Sequence, residues 1–370
     1  MATAWTHTSV AQQIVFGAGS VRKLGEITKL LGVRRVMLVT TEGRAASDDG
    51  ATVRKALGSA LASELAEVTS HVPAPLVQRA VQQARRDGVD AVVSFGGGSC
   101  ADAGKAVCFF TEQQAGTPGA SFADRPALPH IAIPTTYSGA ELTPFFGMTD
   151  PASRQKTGGG GPTIAPTVAV YDPELTLSTP PSVSGQTGMN ALAHCVEASY
   201  ARARTPEAEA IALAGARRIV ATLPLVVDDP SDIDVRAAML EGAVLAGRCL
   251  QNASMGVHHG LAQLVGGRSG IPHGLANALV LAHAVRFNAD AVPDELARLG
   301  DAIGAPGGDV AAAIAALVAQ LGMPSGLGEV GVTVDDIDAV ARMSQSNHSI
   351  RANPKPVSED DARTILAAAF

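Results

Sequence analysis

The chain has 370 residues, enough for two domains of ordinary size, each with its own core. Hydrophobic residues make up 46% and charged residues 17%, a globular balance that excludes a disordered chain. The formal net charge of −7 comes without a basic stripe, which argues against a nucleic-acid partner and leaves any bound anion to local dipoles and a few selected cations.

Cys100, Cys108, Cys195 and Cys249 form no C-x-x-C pair. In a chain of this size they predict free buried thiols in a reducing, cytoplasmic compartment. Residues 1–10 lack both a charged segment and an apolar one, so no signal peptide is expected. No uninterrupted apolar run approaches the roughly 20 residues that a bilayer span needs, so no membrane partner is expected.

In chain order, a short apolar strand at 14–16 stops at Gly17, and a helical pattern over 20–31 ends at Gly32. A buried strand follows at 35–40. Residues 75–87 have helical periodicity through Leu76, Ala80, Val81 and Ala84, and further buried strands fall at 91–95, 131–134 and 167–171. Short apolar strands alternating with helices predict a Rossmann-like α/β domain with a parallel sheet covered on both faces. From about 184 onward the pattern changes to Ala/Leu-rich helical stretches at 189–203, 206–223, 234–250, 257–264, 275–284 and 310–321, with punctuation at Pro324, Gly326 and Gly328. The boundary is placed between 173 and 181. The expected domains are a dinucleotide-binding α/β domain over 1–178 and an all-α domain over 179–370 that carries a histidine site. No internal repeat is found.

Residues 91–105 read AVVSFGGGSCADAGK, an apolar strand, three glycines and the start of a helix. Gly96, Gly97 and Gly98 allow close backbone approach to a pyrophosphate, and the N–H groups of the new helix would face its oxygens. Ser99 is the expected N-cap, with Asp102 three residues on. A tight turn without a ligand would use the same glycines. The FGAGSVRKLG segment before it does not complete G-x-G-x-x-G, because Arg22 stands at the last position, and it reads as a turn into the first helix. Thr41 stands where a ribose-binding acid is often found, which removes the repulsion that excludes a 2′-phosphate, so both NADH and NADPH are admitted. In the loop IPTTYSGAELT, Thr135, Thr136, Ser138 and Thr143 cluster hydroxyls that suit either a cofactor or local capping, and Tyr137 is a candidate substrate contact.

Five of the nine histidines lie between His194 and His283. Asn190 and His194 are four apart and share a helix face. His258 and His259 open a second helix, and His273 follows Pro272 at the start of a third. Histidines at several helix starts point to a common site, although a lone helical histidine is usually only a core or surface residue.

These segments, GGGSCADAGK, PTTYSGAELTP, GMNALAHCVEA, HHGLAQLVGG and PHGLANA in that order, with NPKP near the end, resemble the iron-type alcohol dehydrogenase superfamily over nearly the whole chain. Within it, GMNALAHCVEA and the His-His-Gly segment most resemble the maleylacetate reductases. The resemblance implies a dehydroquinate synthase-like α/β domain, a helical domain, an NADH or NADPH cofactor, and a homodimer. In metal-binding members an Asp and three His hold iron or zinc, and the matching positions here are Asn190, His194, His259 and His273. A neutral amide lacks the charge and donor strength of a carboxylate, so no catalytic metal is expected. Asn190 as a structural residue, with a metal held weakly by the histidines, is the alternative. Where relatives carry a further histidine, this chain has Gln263, which cannot titrate near neutrality. Either His258, His259 or His273 then donates the proton, or the substrate differs.

For a maleylacetate reductase the resemblance implies hydride addition to the C=C bond of maleylacetate, giving 3-oxoadipate, as in aromatic-compound catabolism. Unmetallated imidazoles of His194, His259 and His273 would polarise the acceptor, and Arg351 with Gln263 would meet the dicarboxylate. The expected geometry is a cleft in which the histidines face the glycine triplet. The rivals are a metal-dependent alcohol or hydroxy-acid dehydrogenase of the same superfamily and, from another class, a nucleotide-binding sensor.

Overall fold

The computed structural model describes residues 10–116, 126–150 and 155–370; most of the N-terminal stretch read for a signal peptide lies outside them. Two compact units divide them, Val10–Thr179 and Pro180–Phe370.

The first unit opens with β1 (Gln13–Phe16) and a 3-10 turn at Ser20–Lys23 leading into α1 (Leu24–Leu30). It continues through β2 (Val36–Thr40), α2 (Glu42–Ala45), α3 (Asp48–Leu57), β3 (Leu61–Leu65), α4 (Ala74–Arg86), β4 (Ala91–Gly96), α5 (Gly98–Gln114) and β5 (His130–Pro134). A hairpin of β6 (Phe145–Asp150) and β7 (Gln155–Gly160) precedes β8 (Val168–Tyr171). Six strands form one parallel sheet in the order β1-β8-β5-β4-β2-β3. The central strands VMLVT and AVVSFG are buried at every residue, as expected where helices cover both faces. Alternate residues serve opposite cores. Met37, Val39 and Val92 pack with residues of α4 and α5. Val36, Leu38 and Val93 pack with residues of α1 and α3.

The elements between 42 and 65 and the β6–β7 hairpin are not legible in the sequence. β3 is an edge strand, LASEL, whose half-buried residues break the apolar run. The hairpin ends in three glycines, and a Cβ on Gly158 would lie 2.3 Å from the Phe146 carbonyl oxygen, so that strand depends on the absence of side chains. Register pairs Thr40 with Phe95 and Gly96 with Pro134, so the loops leaving β2, β4 and β5 emerge together at the carboxyl edge, where open parallel sheets bind ligands.

The second unit is helical among its described residues: α6 (Pro181–Tyr200), α7 (Pro206–Asp228), α8 (Ile233–Asn252), α9 (Val257–Ser269), α10 (His273–Asn288), α11 (Pro293–Ile303), α12 (Val310–Gln320), α13 (Val334–Ser344), α14 (His348–Arg351) and α15 (Glu359–Ala368). α6 begins eight residues before the periodic stretch read from the sequence. Its first turns, rich in Ser and Gly, are helical because burial overrides propensity: a Cβ on Gly188 would lie 2.3 Å from the Leu223 side chain, and one on Gly185 2.9 Å from Met323. Helices α13 and α15 were also not anticipated, yet each opens with a capping box, Thr333 with Asp336 and Ser358 with Asp361. By length and composition α7 passes for a membrane-spanning helix, with a mean hydropathy of 1.7 over its best 18 residues, although Arg217 and Arg218 interrupt its apolar run. Its buried side, Ala208 through Val226, packs inside this unit: Gly215 meets Cys195 of α6 and Leu245 of α8.

Under the sheet of the first unit, the Ser94 hydroxyl meets His130 Nε2 at 2.8 Å, and α5 crosses them at Gly104, where a Cβ would lie 2.7 Å from that nitrogen. Gly104→Ala is expected to break the pair and cost about 1–3 kcal/mol in urea unfolding. Burial, reinforced by the Lys105 charge, pushes His130 down from 6.5 to about 3. The unfolded chain takes up this proton near pH 6.5 and the folded one does not, so the contribution is intact above pH 6.5 and falls by about 1.4 kcal/mol per pH unit below it. Urea midpoints measured between pH 7.5 and 5 check this; a slope unchanged in His130→Leu would refute it.

Candidate active site

In the first unit, β4 runs into the glycine triplet and α5 begins at Gly98. The N-cap is Gly97 rather than Ser99, and no side chain caps the helix, so the expected Ser99–Asp102 capping box is absent. Gly96 has φ +141°, a conformation that a side chain resists, and a Cβ there would lie 2.6 Å from Cys100 Sγ. Thr136 and Ser138 of the hydroxyl loop stand against the same turn: Cβ atoms on Gly97 and Gly98 would lie 3.2 Å from Thr136 Cγ2 and 3.0 Å from Ser138 Oγ. A helix N-terminus without a protein cap, at the carboxyl edge of a parallel sheet, is chemically suited to an anion.

The loop after β5 is held by a lysine that the sequence reading passed over. Lys105 is wholly buried on α5 and donates to the Ala140 carbonyl at 2.8 Å, Thr143 Oγ1 at 2.8 Å and the Phe145 carbonyl at 2.5 Å. Asp102, one turn earlier, pairs with it at 2.8 Å and accepts from Gly147 N at 3.2 Å. Thr143 thereby serves the loop itself. Thr135 is likewise structural, its N–H bonded to the Gly96 carbonyl at 3.0 Å and its carbonyl to Thr179 Oγ1 at 2.7 Å. Thr41 caps α2 by accepting from Arg44 N at 3.2 Å, and Tyr137 is fully buried. The Gly-x-Gly segment near the N-terminus is a turn closed by Asp172, whose carboxylate takes the N–H groups of Gly19 and Val21 at 3.0 Å each.

In the second unit the histidines do come together. Asn190, His194 and Glu197 recur at i, i+4 and i+7 on one face of α6, all buried. The His194 and His259 rings stack at 4.7 Å with 18° between their planes, and His258 stands edge-on to His259 at 4.8 Å. Burial, then the neighbouring His259, His273 and His258, push His194 well below 6.5, so it is neutral. His194 Nδ1 and His259 Nε2 are buried without a hydrogen-bond partner. His258 differs from the expectation of a catalytic group. It is wholly buried, Nε2 lies 2.9 Å from the Asn277 carbonyl oxygen and Nδ1 3.2 Å from His259 Nδ1, which leaves no nitrogen for a substrate. Burial, with His259 adding to it, pushes His258 down to about 4.

Glu197 was missed in the sequence, although its i+7 spacing from Asn190 on an otherwise apolar helix was the available signal. Burial would raise its carboxyl; the hydrogen bond from His259, the two histidines and the Gly256 N–H outweigh that and hold it at about 2. Gln263 is exposed on α9, and exposed Arg351 turns back to the Ser346 carbonyl at 2.9 Å.

Among the described residues, Glu197, His258 and His259 are the histidine and acidic groups whose ligand atoms converge within 4.8 Å. They do not fit a metal ion, since Glu197 is occupied by backbone N–H groups and His258 by Asn277. The set matching the family's ligands, Asn190, His194, His259 and His273, contains no anionic donor.

The profile of the iron-containing alcohol dehydrogenases matches residues 11–173, and that of the C-terminal region of the same family matches residues 184–370. The chain belongs to this family and is a nicotinamide-nucleotide-dependent oxidoreductase. Within the family it is similar to the maleylacetate reductase of Rhizobium sp. strain MTP-10005, 35% identical over 366 residues that cover 99% of this chain and 97% of that protein. The crystal structure of maleylacetate reductase from Agrobacterium tumefaciens superposes with a TM-score of 0.87 at 35% identity, covering 100% of this chain and 98% of that one. Sulfoacetaldehyde reductase from Bifidobacterium kashiwanohense, solved in complex with NAD+, superposes with a TM-score of 0.90 at 26% identity over 99% of both chains.

Removing the ammonium that organises the hydroxyl loop should be costly. Lys105→Met strands two carbonyls and Asp102, with an expected loss of about 3 kcal/mol read from the urea midpoint.

Proposed function

We propose that this enzyme reduces the C=C bond of maleylacetate to 3-oxoadipate with NADH or NADPH, in the catabolism of aromatic compounds, and does so without a catalytic metal. The observation that carries the reading is the stacked, buried pair His194–His259 beside Asn190, a site of neutral donors where a metal-dependent relative would place a carboxylate. The similarity to maleylacetate reductases over nearly the full chain supports the substrate.

The N-terminus of α5 at Gly97 to Ser99 binds the cofactor pyrophosphate, because its N–H groups have no side-chain cap and glycine admits the close approach. Thr136 and Ser138 line that turn. Hydride adds to the carbon beta to the ketone, and negative charge develops on the ketone oxygen. His194, with His273 and Asn190 on the same site, is placed to donate to that oxygen, and an imidazole among them relays the proton that the alpha carbon takes up. Gln263 is the candidate amide partner for a substrate carboxylate. A reducing cytoplasmic setting accords with four free buried cysteines, and a homodimer is the proposed assembly.

The rival reading is a metal-dependent alcohol or hydroxy-acid dehydrogenase. One observation favours it: a carboxylate behind a histidine, as Glu197 stands behind His259, is a common second layer around metal-ligating imidazoles.

Oxidation of NADH followed at 340 nm (about the reduced nicotinamide's absorption) with maleylacetate, and with a panel of aldehydes and unsaturated oxo-acids, tests the reading. Turnover of maleylacetate that survives a chelator, in protein with negligible iron and zinc, is the expected result; near-stoichiometric metal with activity lost on chelation would establish the rival. Asn190→Asp should raise zinc retention after dialysis, because it restores the missing negative ligand, and should lower maleylacetate turnover by about tenfold or more.

A further inference from the structure

Helix α9 carries His258 and His259 in its first turn, and it opens on Gly256, a cap without a side chain. A helix leaves its first four N–H groups without internal partners. Here all four are met from distant parts of the unit. Glu197 of α6 accepts from Gly256 N at 3.0 Å, His258 N at 2.9 Å and His259 N at 3.2 Å. Asn353, from the NPKP segment, accepts from Val257 N at 3.1 Å. Asn353 is itself held by a reciprocal pair of amide hydrogen bonds with Asn288, at 2.7 and 3.1 Å.

The same carboxylate reaches the imidazole. His259 Nδ1 lies 2.7 Å from Glu197 Oε2, so Nδ1 carries the proton. The neighbouring ring agrees. His258 Nε2 faces the Asn277 carbonyl, which can only accept, so Nε2 is the protonated nitrogen of the neutral ring and Nδ1 presents a lone pair. That lone pair lies 3.2 Å from His259 Nδ1 and receives the other share of its N–H. Both tautomers follow from one set of contacts, and His259 is left with an unprotonated Nε2, buried and without a partner.

We propose that Glu197 is the positioning residue of this site: by capping α9 and binding His259 Nδ1 it fixes His259 as the Nδ1–H tautomer, with the Nε2 lone pair as its working face. His259 in this form accepts a hydrogen bond and does not donate one. The donors to the substrate oxygen are then His194, His273 and Asn190, a division of roles that rests on the proposed reading of the site, whereas the tautomer itself does not.

Long-range 1H–15N correlation spectra of protein labelled at histidine report the tautomer directly, with His259→Gln used to identify the signal. The expected result is a single Nδ1–H form for His259 in the unsubstituted enzyme. In Glu197→Gln an amide nitrogen in the place of Oε2 opposes His259 Nδ1–H together with the Gly256 and His259 backbone N–H groups, while the oxygen in the place of Oε1 keeps the His258 N–H. The ring should therefore shift toward the Nε2–H form, and kcat should fall by about 10- to 100-fold with the KM for NADH unchanged. Glu197→Asp, which keeps the charge, should recover the Nδ1–H signal in part. An Nε2–H signal for His259 in the unsubstituted enzyme overturns the proposal whether or not any variant folds, as does a Glu197→Gln enzyme with the original tautomer and kcat. An Nδ1–H signal in an enzyme that does not reduce maleylacetate would leave the positioning role standing and remove only the substrate.

Discussion

A single buried carboxylate organises the helical unit. Glu197 sits where bulk water is absent, and an ionised group there is tolerable only if its lone pairs are taken up. The start of α9 supplies three N–H groups and the positive end of a helix, and the His259 ring supplies a fourth donor. Charge and helix therefore support each other: the helix terminus has no local side-chain cap, and its N–H groups join the His259 ring in compensating the carboxylate. The register of α9 against α6 follows from that match, and with it the stacking of His259 on His194.

The sheet unit uses the opposite charge in the same manner. Lys105 is as deeply buried as Glu197, and its three protons go to two loop carbonyls and a threonine hydroxyl, with Asp102 alongside. The loop from Ala140 to Phe145 owes its path to these bonds rather than to any secondary structure of its own. The turn at Gly97, by contrast, has no charged partner assigned to its N–H groups. Glu197 and Lys105 thus each hold a part of their own unit, while the helix start at Gly97 has no side-chain cap and His194 Nδ1 and His259 Nε2 are buried without a hydrogen-bond partner.

The departure at Asn190 belongs in this setting. Under the proposed reading, the Asn190 amide stands where the metal-binding members would place an anionic ligand. On that same reading, neutral N–H groups in a low-dielectric site polarise the carbonyl, and a fixed donor there needs no reorganisation as charge grows on the one oxygen.

The sequence alone determined the elements whose signal is local. Buried strands such as VMLVT read as continuous apolar runs, α10 and α12 as periodic ones, and the glycine triplet as a turn between a strand and a helix, because each depends on residues within one or two turns of each other. The candidate site was legible as a set of residue types, Asn190, His194, His259 and His273, through motif resemblance. Only the tertiary structure decided the roles. Ser99 looked like a cap and is not one; His258 looked equivalent to His259, yet its nitrogens are engaged by Asn277 and its neighbour. Glu197 and Asn353 lie 59 and 96 residues from the N–H groups they cap. Which nitrogen carries a proton, and which buried charge is compensated, are set by such long-range contacts, and no local periodicity in the chain encodes them.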